Sequence, residues 1–250
     1  MEGHRLVFVG GLHRSGTTLL ARCLGEHPSV STFEGTGVPA DEGQHLQTVY
    51  PPAKVFGGPG RFAFRPESYL TEASALVSDR NGQRLLAEWG RHWDLERPVL
   101  LEKSPPNLVR TRFLQALFPD ASFVVVTRHP VAVAYATRKW SHTSVGSLVE
   151  HWLVAHERFR ADARRLDRLV VIRFEDLLRD PDGTLAGVYG FLGLEPQLTA
   201  QEIKADANER YFDRWRADER RLVSGLRQRR VQRRYEDRVA AFGYSLKDLA

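Results

Sequence analysis

The chain has 250 residues, 42% of them hydrophobic and 27% charged, and carries a formal net charge of +5. That length can bury a substantial core as one α/β domain or two small ones, and the composition is that of a soluble globular protein. The single cysteine, Cys23, excludes an internal disulfide and any cysteine-based zinc site. No apolar run approaches the ~18 residues that span a bilayer, and the opening Met1-Glu2-Gly3-His4 is not a signal peptide. A cytoplasmic protein without a membrane partner is the expectation.

The first element is a β-branched and aromatic run at residues 6–9, which reads as a buried strand. Gly10 and Gly11 break it, and Leu19, Leu20, Cys23 and Leu24 then recur at helical spacing. Strand, glycine turn and helix in that order aim free backbone N–H groups and the positive end of a helix dipole at one point, which makes a phosphate site. Thr17 and Thr18 add hydroxyls at the helix start, and Arg14 adds a permanent cation with a forked set of donors. His13, Arg14, Ser15, Gly16, Thr17 and Thr18 are the expected contacts of this loop. The spacing Gly11-x-x-x-x-Gly16-Thr17-Thr18 is nearly that of the Walker A loop, but Thr17 stands where the lysine belongs. An ordinary ATPase or kinase is disfavoured by that position.

Residues 31–70 are rich in Gly and Pro and lack periodicity, while Tyr50, Val55, Phe56, Phe62 and Phe64 argue against disorder. Helical spacing covers 78–93, with Ser78 or Asp79 as its cap. The strand Val99-Leu100-Leu101-Glu102 runs into Lys103, at the carboxyl end where open α/β sheets place ligands. Lys103 is therefore a site candidate. A helix over 108–118 precedes the clearest buried strand, 122–127, which ends in Arg128-His129-Pro130 and places a second cation at a strand's carboxyl edge. Residues 140–147 read as a polar link and 148–166 as an amphipathic helix. Its His151 and His156 are five apart, off a common face, so no metal site is expected. A strand at 169–173 and a helix at 185–192 capped by Gly193 complete an alternation around a parallel sheet. Residues 209–238 hold eleven arginines against six acids, with Tyr211, Phe212, Trp215 and Tyr235 interleaved. Basic charge with stacking rings suits nucleic acid. The admixture of acids, and the pattern over 229–242, suit a solvated helix.

The run Arg14-Ser15-Gly16-Thr17-Thr18 resembles the 5′-phosphosulfate loop of sulfotransferases, whose donor is 3′-phosphoadenosine 5′-phosphosulfate (PAPS). The likeness widens further on. The family's 3′-phosphate element is a buried strand, an arginine and, eight residues later, a helical serine. Arg128 matches the arginine; the serine position is Ala136, with Thr137 one residue and ~100° further round the helix. Arg138 and Lys139 offer charge in its place. Phe174-Glu175-Asp176-Leu177 is similar to the family's segment after a late strand. The resemblance implies a P-loop NTPase-like α/β fold: one domain over 1–250, a three-layer sandwich with a central parallel sheet flanked by helices. It also implies an acceptor-site loop region at 31–70 and a basic C-terminal segment, 208–250, that closes over the nucleotide through Arg220 and Arg221.

The implied reaction moves SO₃ in line from PAPS to a hydroxyl of a small-molecule or glycan acceptor, by positioning and electrostatics and without a metal. Arg14 serves the leaving side. Lys103 resembles a lysine of the tyrosyl-protein branch that contacts the transferring group. The general base of related branches stands twenty-one residues after the loop arginine, which is Gly35 here, with Glu34 beside it. Glu42 and His45, three apart, share a face if that piece is helical, and an imidazole beside a carboxylate suits a base. Glu34, Glu42 and His45 all stay open. Two other readings remain: a P-loop kinase or other nucleotide phosphotransferase, and a non-catalytic nucleotide- or RNA-binding protein that uses the tail. No nucleic-acid partner follows from the first reading, and oligomeric state is not legible.

Overall fold

The computed structural model describes residues 3–249. Five parallel strands form one sheet in the order β2-β3-β1-β4-β5. They are β1 (Arg5–Gly11), β2 (Val30–Ser31), β3 (Val99–Lys103), β4 (Ser122–Thr127) and β5 (Leu169–Arg173). The three central strands are continuous apolar runs because parallel sheets are covered on both faces. Val7, Val9, Leu101, Val124 and Val126 pack toward α1 (Thr17–Gly25), α6 (Phe174–Arg179) and α7 (Pro181–Leu192). Phe8, Leu100 and Phe123 face α2 (Asp79–Trp89) and α3 (Thr111–Leu117), where Trp89, Phe113 and Phe118 fill the layer. Ser78 caps α2 by accepting from Asn81 N at 3.3 Å. The alternation of the two sets follows from the period of two along a strand.

A third cluster joins α4 (Pro130–Ser141) and α5 (Val145–Ala163) to α8 (Glu209–Glu219) and α9 (Leu222–Ala240). Tyr211, Phe212 and Trp215 are buried in it, so the basic tail folds into the body of the domain through its aromatic residues. His151 and His156 are core groups. His151 Nε2 accepts from Ala63 N at 3.1 Å, and the His156 ring lies 3.9 Å from that of Trp152, centroid to centroid.

Several elements differ from the sequence expectation. The expected helix over 108–118 is a 3₁₀ turn, Pro105–Val109, followed by α3. The break is Arg110, whose φ of −136° turns its guanidinium into the core, where Nη2 donates to Pro51 O at 2.9 Å. The link at 140–147 shrinks to three residues, because α4 runs on to Ser141 and Ser144 caps α5. The two residues of β2 carry no period of their own; pairing with Val99 and Leu100 makes them a strand. Among the described residues no helix is long and apolar enough to cross a membrane.

Candidate active site

The carboxyl ends of β1, β3 and β4 present Leu12 onward, Lys103 and Arg128 along one edge of the sheet. After β1 the backbone enters left-handed conformations at Arg14 (φ 71°) and Gly16 (φ 101°). Such alternations curl successive N–H groups into an anion-binding concavity. A Cβ at Gly16 would also drive into the ring of Phe174, so only glycine fits there. The first bond of α1 is donated by Leu20 N to Gly16 O at 3.0 Å, and no side chain caps the helix. The N–H groups of Thr17, Thr18 and Leu19 therefore face the loop as orphan donors. Ser15 is fully buried, and its Oγ has no partner among the described residues. Thr17 is buried beneath the loop.

Two clefts flank this loop. One, of about 730 Å³, is bordered by Arg14, Ala136, Arg138, Lys139, Arg210, Tyr211, Arg214 and Arg221, with Asp218 as its acid. Arg14 stacks over Trp140 at 5.0 Å on the rim. Arg210, Arg214, Ala217 and Arg221 recur at helical intervals across α8 and its end, which is why one face of that segment is cationic. The other cleft, also about 730 Å³, is bordered by Thr18, Arg22, Glu34, Asp41, Arg97 and Lys103.

Arg128 lies under the loop, buried. Its Nη1 donates to Arg14 O at 2.8 Å, Nε to Asn208 Oδ1 at 2.8 Å and Nη2 to Ala207 O at 3.0 Å. The guanidinium rests 4.2 Å above the Phe174 ring, and burial pushes its pKa down to about 10. Glu175 accepts from Asn208 Nδ2, His129 N and Tyr244 Oη, at 2.9, 2.9 and 3.0 Å, and so fixes the asparagine that holds Arg128. Asn208 carries no sequence signal. Arg210 and Arg214 carry one, their four-residue spacing.

The expected residues do not all meet. Thr137, offered for the missing serine, points away from the basic cleft. It is buried beside Leu12, Gly60, Leu148 and His151, while Ala136 lines the cleft. One step along a helix turns a side chain by ~100°, and that decides the matter. Of the arginine pair, Arg221 borders the cleft; Arg220 turns back, its Nε donating to Arg216 O at 3.3 Å. His13 turns inward against Phe62 instead of joining the loop's donors, and burial, with Lys103 and His45 nearby, pushes its pKa down to about 3. Of the aromatics of residues 31–70, Phe62 is fully buried and Tyr69 donates to Asp162, while Phe33 borders the second cleft. The segment reaches the second cleft through Thr32, Phe33, Glu34, Ala40 and Asp41.

Lys103 is buried to 5% exposure, with Nζ 2.6 Å from Ala40 O and 3.8 Å from Glu42 Oε1. Burial lowers its pKa, against the pull of Glu42, Glu102 and Asp41. Glu42 and His45 flank a 3₁₀ turn, Gly43–His45, with His45 Nε2 3.9 Å from Glu42 Oε2. Burial raises the Glu42 carboxyl and lowers the His45 imidazole, which Lys54 and Lys103 depress further. Both sit behind Lys103. Glu34 is exposed on the cleft itself, accepting from Thr32 Oγ1 at 3.3 Å.

A parallel sheet with an uncapped glycine loop at its carboxyl edge, between a cationic cleft and a mixed-charge one, defines an α/β protein whose loop has the geometry of an anion site. The family model described as "Sulfotransferase family" matches residues 7–201, and the chain belongs to that family. It is 26% identical over 201 residues to protein-tyrosine sulfotransferase 2 of Gallus gallus, covering 76% of this chain and 51% of that protein. It is 24% identical over 226 residues to nodulation protein NoeE of Sinorhizobium fredii, covering 76% and 50%. The chain thus spans about half the length of the curated relatives it matches. Among solved structures it is similar to the sulfotransferase domain from the curacin biosynthetic pathway, at a TM-score of 0.58, 18% identity and 99% coverage of both chains. A sulfotransferase from Alicyclobacillus acidocaldarius aligns at 0.50, 20% identity, over 86% of this chain and 92% of that one. These last two likenesses are of fold.

Proposed function

We propose that the chain transfers a sulfuryl group from PAPS to a hydroxyl of a small-molecule or glycan acceptor. The observation that carries this reading is the phosphate loop standing between a cleft rich in cations and a cleft that holds Lys103 and an exposed carboxylate. Six cations line the first, more than a single phosphate needs, and a nucleotide with phosphates at both its 3′ and 5′ positions matches them. The orphan N–H groups and the buried Ser15 hydroxyl fit the 5′ end. The acids and cations of the second cleft suit a polar, hydroxyl-rich acceptor.

In the reaction the acceptor oxygen bonds to sulfur while the bridging S–O bond breaks, its electron pair leaving on the phosphate. Arg14 and the N–H groups at the start of α1 are placed to neutralise that charge. Lys103, held rigid by Ala40 O and Glu42, faces the acceptor side and offsets charge on the transferring group. Glu34, the candidate base on the cleft wall, takes the acceptor proton. Glu42 and His45 act as countercharge and packing behind Lys103.

The test is calorimetric titration with 3′-phosphoadenosine 5′-phosphate against ATP and 5′-AMP. Tight binding of the bisphosphate, lost in Arg14→Ala, is the expected result and licenses an acceptor screen with labelled PAPS. A preference for ATP with Mg²⁺ would instead favour a phosphotransferase.

A further inference from the structure

Lys103 and its chain neighbour Glu102 point to opposite faces of the sheet, as successive strand residues must. Glu102 is 1% exposed, on the α2 and α3 side, and has no route to either cleft. Its carboxylate is nonetheless fully engaged. Ser104 Oγ donates to Oε1 and Asn107 Nδ2 to Oε2, each at 2.5 Å, and Asn107 Nδ2 also reaches Val9 O at 3.2 Å. A buried carboxylate away from any ligand is a costly group to keep unless its hydrogen bonds hold something in place.

The bonds lead back around the edge of the sheet. Ser104 Oγ accepts from Gln44 N at 2.9 Å, which docks the turn Gly43–His45 onto the end of β3. A Cβ at Gly43 would collide with the Glu102 carboxylate, so the turn lies directly upon it. The Gln44 side chain then donates from Nε2 to Glu42 Oε2 at 2.5 Å, and Glu42 Oε1 stands 3.8 Å from Lys103 Nζ. Trp89 Nε1 pins the same turn from α2 by donating to Gly43 O at 2.9 Å.

We infer that Glu102 is a positioning residue for Lys103. It acts through Ser104, Gln44 and Glu42 and never touches a substrate. Without the relay, Glu42 loses its fixed distance from Lys103, and the ammonium keeps Ala40 O as its anchor but not the countercharge that sets its position. This rests on the proposed role of Lys103, while the relay itself is testable apart from it.

The chain has five lysines, so ¹³C-lysine NMR resolves the Lys103 signal, assigned with Lys103→Arg. Two variants separate relay from direct field. Glu102→Gln removes the charge and the bond from Asn107 but leaves an amide oxygen for Ser104 to donate to; Ser104→Ala cuts the relay and keeps the carboxyl. Both are expected to move the Lys103 titration midpoint, by about half a unit or more, and to cut sulfate release from PAPS roughly tenfold or more. Both should leave affinity for 3′-phosphoadenosine 5′-phosphate within about threefold of the parent. Movement of the Lys103 signal in Glu102→Gln alone would overturn the relay in favour of a through-space charge effect. An unmoved signal in both would overturn the inference altogether. If Glu102→Gln fails to fold, Ser104→Ala decides alone. Failure of the parent protein to bind the bisphosphate would sink the functional reading, while the NMR shifts would still decide for or against the relay.

Discussion

Arg128 Nη1 donates to the main-chain oxygen of Arg14 at 2.8 Å, across 114 residues of sequence. The cation at the end of β4 therefore holds the phosphate loop in shape from below, while Asn208 and Ala207 hold Arg128 from the tail. One guanidinium joins the loop, the end of β4 and the C-terminal segment.

Arg128→Lys keeps the charge and loses the fork. A lysine can satisfy one of the three acceptors in these directions, so the loop and tail lose their common tie. Affinity for 3′-phosphoadenosine 5′-phosphate should fall about tenfold to a hundredfold, on the ~1.5–3 kcal/mol of a hydrogen bond to a charged group. Calorimetric titration checks this; an affinity unchanged by Arg128→Lys would remove Arg128 from the site.

At the cleft wall, Ala136→Ser should improve the same affinity by up to about tenfold, because it places a hydroxyl among Arg138, Lys139 and Arg210. Thr137→Val should leave affinity unchanged. Its hydroxyl is buried without a partner among the described residues, so the variant should be as stable as the parent, or up to ~1 kcal/mol more so. Urea denaturation with titration reads both effects.

Gly16→Ala should abolish binding and cost about 1–3 kcal/mol of stability, through the left-handed φ and the collision with Phe174. Phe174→Ala in the same chain relieves the collision but not the φ. It should therefore restore part of the stability and little of the binding. Full recovery of binding in the double variant would show that the loop's conformation is not what binds.

Acid should weaken the fold. Burial pushes His151 and His13 down to about 3 and His129 and His156 to about 4, all below the unfolded value of 6.5. The unfolded chain then binds more protons between those values, so stability is full above pH 6.5 and is lost as pH falls toward 4. Glu102, raised to about 7 by burial, works in the opposite sense over the range above its ordinary value of 4.5. His45 is lowered as well, while Glu42 and Asp162 are raised and side with Glu102; five imidazoles outweigh three carboxyls, and Tm should drop between pH 7 and pH 5. Protonated His151 cannot accept from Ala63 N, so His151→Gln, which keeps an acceptor, should flatten the profile. Calorimetry across pH settles it.

Glu34→Gln should cut sulfuryl transfer by about a hundredfold or more while leaving bisphosphate affinity intact, as expected for a base on the acceptor wall. His45→Asn should cost far less. The reverse ranking, read from initial rates with labelled PAPS, would move the base to His45.

The amino-acid sequence by itself determined the phosphate loop, the three central strands and the cations at their carboxyl ends. Each is a local pattern: an apolar run, a glycine pair, a charge where the run stops. A strand buried on both faces has no other way to be written. It also carried the family likeness, because Arg14 to Thr18 and Arg128 are contiguous signals. What only the tertiary structure decided was direction and company. Ala136 faces the cleft and Thr137 the core, since a single helical step turns a side chain by ~100° and packing fixes the helix's rotation. Arg221 reaches the cleft where Arg220 does not, and Asn208 and Glu175 support Arg128 from far along the chain. Glu102 was legible only as the acidic end of the apolar strand 99–102. Its link to Lys103 runs through Gln44, about sixty residues away, and a hydrogen bond across such a span leaves no period or spacing in the sequence.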